Sequence, residues 1–178
     1  MKFYVTTPIY YVTAAPHIGH AYTTVAADCL ARFHRMCGKD VFFLTGTDEH
    51  GQKIEEAAKG RHMGVREIAD EMSEIYRMTW GKLGISYDRF IRTTEESHET
   101  LVRNIFATLL SQGDIYAGEY RGFYCVHCES YVSQGDSGDK RICPDCGRPV
   151  SEISEKSYFF RLSRYADRLK QHISENPD

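Results

Sequence analysis

Two short apolar runs, separated by a helical pattern, begin the chain. Residues 3–7 and 40–47 are rich in β-branched and aromatic side chains and predict buried strands; Pro8, which cannot continue a central ladder, ends the first. Between them, apolar residues recur with the period of one helical face, at Ile18, Tyr22, Val25, Ala26, Cys29, Leu30 and Phe33. Gly38 ends this helix. The order strand, helix, strand predicts a right-handed parallel crossover.

The same alternation continues as far as Gly113. A long helical face consists of Val65, Ile68, Ala69, Met72, Ile75, Tyr76 and Leu83. The run "RFIRTT", residues 89–94, predicts a short strand. A further helical stripe consists of Leu101, Val102, Ile105, Phe106, Leu109 and Leu110. The pattern predicts an α/β fold with a doubly wound, parallel, Rossmann-like sheet. Only three convincing parallel strands precede Gly113, so we expect the first half of such a sheet, at the start of a longer protein.

The composition changes after Gly113. Residues 114–160 are rich in glycine, tyrosine, serine and cysteine and show no helical stripe, which predicts a separate, loop-rich module. A short amphipathic helix over about residues 163–174 follows the run "SYFFRL". We therefore divide the chain into residues 1–113, the first half of the sheet domain, and residues 114–178, a smaller module.

Four of the six cysteines form two close pairs in this module. Two residues separate Cys125 from Cys128 and Cys143 from Cys146, and fourteen lie between the pairs. Two such knuckles surround one ion with four thiolates and no open position, which predicts one structural zinc ion, Zn²⁺, per chain. A rubredoxin-like iron site and four free cysteines are the alternatives. His127 lies inside a knuckle and is predicted to face solvent.

Two histidines flank a glycine at the junction between the first strand and the first helix. A helix N-terminus carries unpaired N–H groups and a partial positive charge, which suit an anion such as a phosphate. His17 and His20 lie three residues apart in the first turn, where both can donate to phosphate oxygens, and Gly19 lets a ligand approach the backbone. A pair of capping or packing histidines is the alternative.

An acidic loop, "LTGTDEHG", follows the second strand at the end where open α/β sheets bind ligands. Asp48 and Glu49 are candidates to hold a cation such as the amino group of a substrate. The alternative on local grounds is that they cap the helix that begins near Gln52. His50 is a weaker candidate, because such a histidine is more often a surface or packing residue.

Charge and motifs exclude several classes. A net charge of -3 and a pI near 6.2 give no basic stripe for nucleic acid. Neither G-x-G-x-x-G nor G-x-x-x-x-G-K-S/T is present, so dinucleotide enzymes and phosphate-binding-loop NTPases have no support. No secretion signal or bilayer-spanning apolar run is present, so we expect a cytoplasmic protein without a membrane partner.

Several long motifs resemble one family. The stretches "TPIYYVTAAPHIGHAYTT", "FLTGTDEHG", "FIRTTEESH", "GDIYAGEYRGFYCVHC" and "SYFFRLSRY" occur in the order found in methionyl-tRNA synthetases, which are class I aminoacyl-tRNA synthetases. The resemblance implies ATP-dependent activation of methionine to methionyl-adenylate and transfer to tRNA(Met), with Mg²⁺ accompanying ATP. It also implies that "HIGH" is the signature whose residues His17, Gly19 and His20 contact the ATP phosphates, with the two histidines as catalytic residues.

The resemblance assigns further roles by motif position. Ile9 and Tyr11 match residues that line the methionine pocket, Asp48 matches the acid that holds the substrate ammonium, and His50 matches a histidine near the same site. The cysteine module matches the connective peptide inserted between the two halves of the catalytic domain, in its form with one zinc and two knuckles. In the family this module shapes the rim of the active site and assists binding of the tRNA acceptor end.

One signature motif of the family is missing from these residues. The second signature, K-M-S-K-S, whose lysine-bearing loop stabilises the pyrophosphate leaving group, does not occur in these residues. The resemblance therefore covers the first half of a catalytic domain and most of its connective peptide, and we expect the isolated chain to be inactive. The alternative function is a non-catalytic, zinc-stabilised module that binds tRNA or a protein. The sequence does not predict an oligomeric state.

Overall fold

The computed structural model describes residues 1–132 and 142–177, which divide into two compact units, Met1–Val102 and Arg103–Asp178. Residues 133–141, in the predicted link between the knuckles, lie outside the described residues, as does residue 178. The division at residue 113 that composition suggests stays a prediction.

A parallel sheet forms the centre of the first unit. Its four strands are β1 (Lys2–Thr6), β2 (Tyr10–Tyr11), β3 (Asp40–Asp48) and β4 (Arg89–Arg92). Strand β3 is central: β1 and β2 pair in line along one of its edges, and β4 pairs along the other. Pro8 separates β1 from β2, as expected of a residue without an N–H donor. The predicted parallel sheet is therefore confirmed, and β2 is a fourth strand that the sequence pattern did not reveal.

The helices of the first unit follow the predicted order. They are α1 (Ile18–Met36), α2 (Gln52–Arg61), α3 (Val65–Lys82) and α4 (Glu96–Ser111), and the unit boundary after Val102 falls within α4. Helix α1 packs on Phe43 of β3 through Ala27 and Ala31, and α3 contributes Tyr76 and Trp80 to a cluster with Tyr10. These contacts all lie on one face of the sheet. On the opposite face Tyr4 and Phe42 stack on each other and are 59% and 45% exposed.

The helix indicated by the first apolar stripe is present as α1, but the stripe is exposed and does not form the buried face. Its first two residues, Ile18 and Tyr22, are 88% and 79% exposed. The buried side chains are instead the small or polar residues Thr24, Ala27, Asp28 and Ala31. Small side chains let the helix lie close to the sheet. The cost of burying Asp28 is offset by the hydrogen bonds that it accepts from Ser86 and Arg32.

The helix boundaries agree better with the sequence than the helix faces do. Gly38 and Gly113 each follow a helix with a positive φ of 74°, which only glycine adopts easily, so both predicted stops are confirmed. The apolar stripe of α4 is also largely exposed, with Leu101 at 58% and Ile105 at 51%. No helix within the described ranges is long and apolar enough to cross a bilayer.

The second unit contains an antiparallel sheet that composition did not predict. Its strands are β5 (Ile115–Cys125), β6 (Ser130–Val132) and β7 (Ser151–Phe160), in the order β6-β5-β7. Strands β5 and β7 form a long ribbon paired from Ile115↔Phe160 to Tyr124↔Ser151. A 3-10 turn, Leu162–Tyr165, leads into α5 (Ala166–Glu175), which confirms the predicted C-terminal helix.

Candidate functional sites

A cavity of about 440 Å³ lies where β2 leads into α1. Its lining consists of Pro8, Ile9, Tyr10, Tyr11, Thr13, Ala14, His17, His20 and Thr23. Four residues that the sequence singled out, Ile9, Tyr11, His17 and His20, therefore meet at one cavity. The side chains of Ile9 and Tyr11 are 41% and 44% exposed, so both present apolar surface to it.

The two histidines are linked through their Nδ1 atoms at the start of α1. His17 is the N-cap residue, and its Nδ1 accepts the backbone N–H of Gly19 at 3.1 Å. The backbone N–H of His17 in turn donates to Nδ1 of His20 at 3.3 Å, and the rings stack with centroids 3.6 Å apart. A neutral imidazole that accepts at Nδ1 carries its proton on Nε2. Capping therefore fixes the tautomer of both rings and leaves two Nε2–H donors, so the capping and anion-binding interpretations are compatible.

Gly19 has a steric role that the sequence did not reveal. A Cβ built there would lie 3.0 Å from Cε1 and 3.1 Å from Nδ1 of His17. Any larger residue would therefore displace the imidazole that caps the helix. This crowding is one reason for glycine at this position, and approach of a ligand to its backbone stays a prediction.

A buried tyrosine forms a hydrogen bond with the ring of His20. The hydroxyl of Tyr76 on α3 lies 3.1 Å from Nδ1 of His20 and donates to it, because that nitrogen already accepts the N–H of His17. Burial, together with nearby Tyr10, raises the pKa of Tyr76 to about 12. Burial and the charge of His17 lower the pKa of His20, which favours the neutral ring. Sequence analysis placed Tyr76 on a helical face but gave no sign of this contact.

Strand alternation separates the two neighbouring acids. Asp48 is the last residue of β3, pairs with Tyr11 and is partly buried. Glu49 is 2% exposed and accepts the Thr47 hydroxyl at 2.7 Å, so it lies on the opposite face of the sheet. Arg92 donates to both carboxylate oxygens of Glu49, at 2.7 and 2.9 Å. The expectation that Glu49 is available to a substrate cation is therefore wrong, because its cation is Arg92.

The remaining residues of the acidic loop occupy the rim of β3. The exposed His50 has its Nε2 3.1 Å from the carbonyl oxygen of Thr93. Helix α2 begins at Gln52, as predicted, but its N-cap is Gly51, with φ 104° and no side-chain cap. The alternative that Asp48 or Glu49 caps this helix is therefore wrong. Neither Asp48 nor His50 lines the cavity, although Asp48 is the register partner of Tyr11, which does.

The four cysteines of the second unit form a compact cluster. The sulfur atoms of Cys125, Cys128, Cys143 and Cys146 all lie within 4.8 Å of one another. Two of the edges, Cys125 to Cys146 and Cys128 to Cys143, measure 3.6 and 3.8 Å. A tetrahedral zinc with Zn–S bonds of about 2.3 Å requires edges of about 3.8 Å. The donor set and spacing fit such an ion, and His127 is exposed, as predicted.

Hydrogen bonds make the thiols of this cluster unequal. The backbone N–H of Cys128 donates to the sulfur of Cys125 at 3.5 Å and lowers the pKa of that thiol. Hydrogen bonding to Cys146 raises the pKa of Cys128. Four neighbouring thiolates repel one another, so a bound cation is the means by which all four would ionise together.

The chain resembles known proteins over nearly all of its length. The family model "tRNA synthetases class I (M)" matches residues 3–152. The methionine–tRNA ligase of Clostridium tetani is 54% identical over 175 residues, which cover 98% of this chain and 27% of that protein. The ligase of Thermotoga maritima is 50% identical over 181 residues, covering 100% of this chain and 29% of that protein.

A solved structure gives the same picture. The methionyl-tRNA synthetase of Mycobacterium tuberculosis in complex with methionyl-adenylate superposes with a TM-score of 0.89 and is 41% identical, over 99% of this chain and 35% of that chain. The chain therefore spans roughly a quarter to a third of the length of the proteins that it matches.

Proposed function

The chain belongs to the class I tRNA synthetases of the (M) type, and from that membership we propose that it forms the part of a methionine–tRNA ligase that binds methionine and the phosphates of ATP. The observation that carries this proposal is the meeting of Ile9, Tyr11, His17 and His20 at one cavity. A packing role alone would not require two histidines with free Nε2–H donors beside half-exposed apolar side chains.

The proposed reaction has two steps. A carboxylate oxygen of methionine attacks the α-phosphorus of ATP, the bond from that phosphorus to the bridging oxygen breaks, and pyrophosphate leaves. The methionyl group of the resulting methionyl-adenylate then passes to a ribose hydroxyl at the end of tRNA(Met), and AMP leaves. Mg²⁺ would accompany ATP as part of the substrate.

His17 and His20 are the proposed catalytic and ATP-binding side chains, with Gly19 between them. Their Nε2–H groups would donate to phosphate oxygens whose negative charge grows during displacement. The N-terminus of α1 adds a partial positive charge at the same place. The histidines bind and stabilise the phosphates, and neither forms a covalent bond to them.

The methionine side of the site is built on the ends of two strands. Ile9 and Tyr11 would contact the apolar methionine side chain, and the carboxylate of Asp48 would pair with its ammonium group. Asp48 suits that role because it lies at the carboxyl end of β3, is partly exposed and pairs with Tyr11, which lines the cavity. His50, which is held by Thr93, would support the same pocket.

The cysteine cluster would hold one structural Zn²⁺ in a connective-peptide module inserted into the catalytic domain. Its four thiolate ligands would be Cys125, Cys128, Cys143 and Cys146. A site with four protein ligands has no open position, so the ion would stabilise the fold and take no part in the reaction. The module would shape the rim of the active site and help to bind the tRNA acceptor end.

The test is methionine-dependent ATP–pyrophosphate exchange by the protein that carries this chain. We expect exchange with methionine and none with leucine. His20→Asn should lower kcat on the order of 10²-fold or more, as the loss of one charge-stabilising donor does elsewhere. The matched control is His62→Asn, because His62 is exposed and its left-handed conformation suits asparagine. An absence of methionine-dependent exchange in the wild type would contradict the proposed function.

A further inference from the structure

The acidic loop after β3 is tied to the end of β4 by an unusually dense set of hydrogen bonds. The backbone N–H of Glu49 donates to the hydroxyl of Thr93 at 2.9 Å, and the N–H of Thr93 donates to the carbonyl oxygen of Thr47 at 3.3 Å. The carboxylate of Glu49 accepts from Thr47, from Thr94 and twice from Arg92. Both segments are therefore fixed mainly through the side chain of Glu49.

From this arrangement we infer that Glu49 and Arg92 are a positioning pair, which holds Asp48 and His50 in the geometry needed to bind the ammonium group of the substrate. The inference rests on the proposed function and names two residues that act through others. The two side chains are paired with each other and largely buried, so neither is expected to touch the substrate.

Burial gives the pair its rigidity. The side chain of Glu49 is 0% exposed and that of Arg92 is 17% exposed, so water hardly competes for their hydrogen bonds. A bidentate guanidinium–carboxylate contact fixes orientation as well as distance. Separating Glu49 from Arg92 would leave a buried polar group without its partner, which is costly.

The pair of Glu49 and Arg92, called the clamp from here on, is connected to helix α3 through a third residue. The Nη2 of Arg92, which donates to Glu49, also donates to the carboxylate of Asp70, at 2.6 Å. Asp70 is exposed and also lies 3.4 Å from Arg66. Arg92 thus joins the loop after β3 to a helix that packs on the sheet, and this contact prevents the loop from moving independently of α3.

Alternation along the strand explains how a clamp on one face of the sheet can position a residue whose side chain lies on the other face. Glu49 and Thr47 point to the clamp, while Asp48, between them, points to the opposite face. Both neighbours of Asp48 are anchored by hydrogen bonds, which restrains the backbone from which its side chain projects. Glu49 also occupies the guanidinium of Arg92, which leaves the carboxylate of Asp48 for a ligand.

The experiment compares Glu49→Gln and Arg92→Lys with the wild type in the exchange assay, using the protein that carries this chain. Each variant should raise KM for methionine at least tenfold while KM for ATP stays within twofold, because only the ammonium site is disturbed. Glu175→Gln is the control, because Glu175 is exposed on α5 and accepts a hydrogen bond from Gln171, far along the chain from the clamp. Folding of each variant is checked by circular dichroism.

The outcomes separate this inference from the proposed function. Wild-type exchange with an unchanged methionine KM in both variants would overturn the positioning role alone, as would equal increases in both KM values. No wild-type exchange would overturn the proposed function. If Glu49→Gln does not fold, Thr94→Val removes a single donor to Glu49 and gives the same readout, with a selective rise in methionine KM expected and no rise overturning the inference.

Discussion

The two units of the chain bury very different side chains. In the first unit Trp80, Tyr76 and Phe43 are fully buried and form ordinary apolar clusters with helices on a parallel sheet. Among the described residues of the second unit, the buried side chains are Cys125, Cys143, Val132 and Val150. One unit is thus stabilised by hydrophobic burial, whereas the described part of the other has little apolar core, and we expect it to depend on a metal ion at its sulfur cluster. The candidate catalytic site therefore lies in a unit with an apolar core, whereas the candidate metal site lies in a unit that has little apolar core.

The largest effect should follow from breaking the sulfur cluster. We expect Cys143→Ser to reduce bound zinc from about one ion per chain to a small fraction, because a structural zinc contributes on the order of 10 kcal/mol or more to folding of its module. Metal analysis by mass spectrometry measures the loss, and hydrogen exchange should show unprotected amides in β5 and β7 but not in β3. Cys29→Ser, at an exposed cysteine, is the control. Equal loss of protection in both units would contradict the expectation that each unit is stabilised independently of the other.

A cavity in the aromatic cluster should affect the first unit alone. Trp80→Ala removes a fully buried indole that packs against Tyr10 and Tyr76, and should destabilise the unit by about 3–5 kcal/mol. Chemical denaturation followed by circular dichroism measures the free energy of unfolding. Met78→Ala, on an exposed position of the same helix, should cost far less. Loss of zinc in the Trp80 variant would mean that the units are not independent.

A buried carboxylate makes the stability of the first unit depend on pH. Burial alone would raise the pKa of Asp28, but hydrogen bonds from Ser86 and Arg32 outweigh it and hold the pKa below its ordinary value. A lowered folded pKa stabilises the unit above the unfolded value of about 3.9, and the stabilisation is lost as the pH falls through the folded value.

The corresponding variant is Asp28→Asn. It should cost about 1.5–3 kcal/mol at pH 7, and its difference from the wild type should shrink below about pH 4. Unfolding free energies measured at both pH values test this. Asp40→Asn, at an exposed position, should show little difference at either pH. A constant difference across this range would show that ionisation of Asp28 does not contribute.

The smallest effect should follow from removing one hydroxyl. Tyr76→Phe loses the donor to Nδ1 of His20 but keeps the buried ring, so it should cost about 1 kcal/mol of unfolding free energy. Tyr87→Phe, in a neighbouring partly buried tyrosine, is the control. A change above about 3 kcal/mol would mean that the ring packing, rather than the hydrogen bond, had been disturbed.

Sequence reasoning recovered elements whose signal is local. Turn glycines and the strand core of β3 depend on nearby residues alone, and these predictions were confirmed. The paired cysteines lie in one cluster, while the zinc ion between them stays a prediction. The buried face of α1 was not recoverable from hydropathy, because Asp28 is buried only through a partner 58 residues away. Strand β5 was missed because neither face of its ribbon is buried: Tyr116, Gly118 and Tyr120 alternate with residues that are no more apolar.

The candidate site shows the same limit. The motif "HIGH" and the run "PIYY" identified the residues that line the cavity, but composition could not rank Asp48 against its neighbour Glu49. Their separation depends on strand alternation and on Arg92, 43 residues further along the chain. Alternation counted from β3 could have assigned the two acids to opposite faces, whereas Arg92 carried no local signal.

The most direct test of the account is a crystal structure of the protein that carries this chain, bound to a non-hydrolysable analogue of methionyl-adenylate. The account predicts the methionine ammonium within hydrogen-bonding distance of Asp48, the side chain against Ile9 and Tyr11, and the phosphate mimic next to Nε2 of His17 and His20. An analogue bound away from this cavity, or one whose ammonium contacts a group other than Asp48, would contradict it.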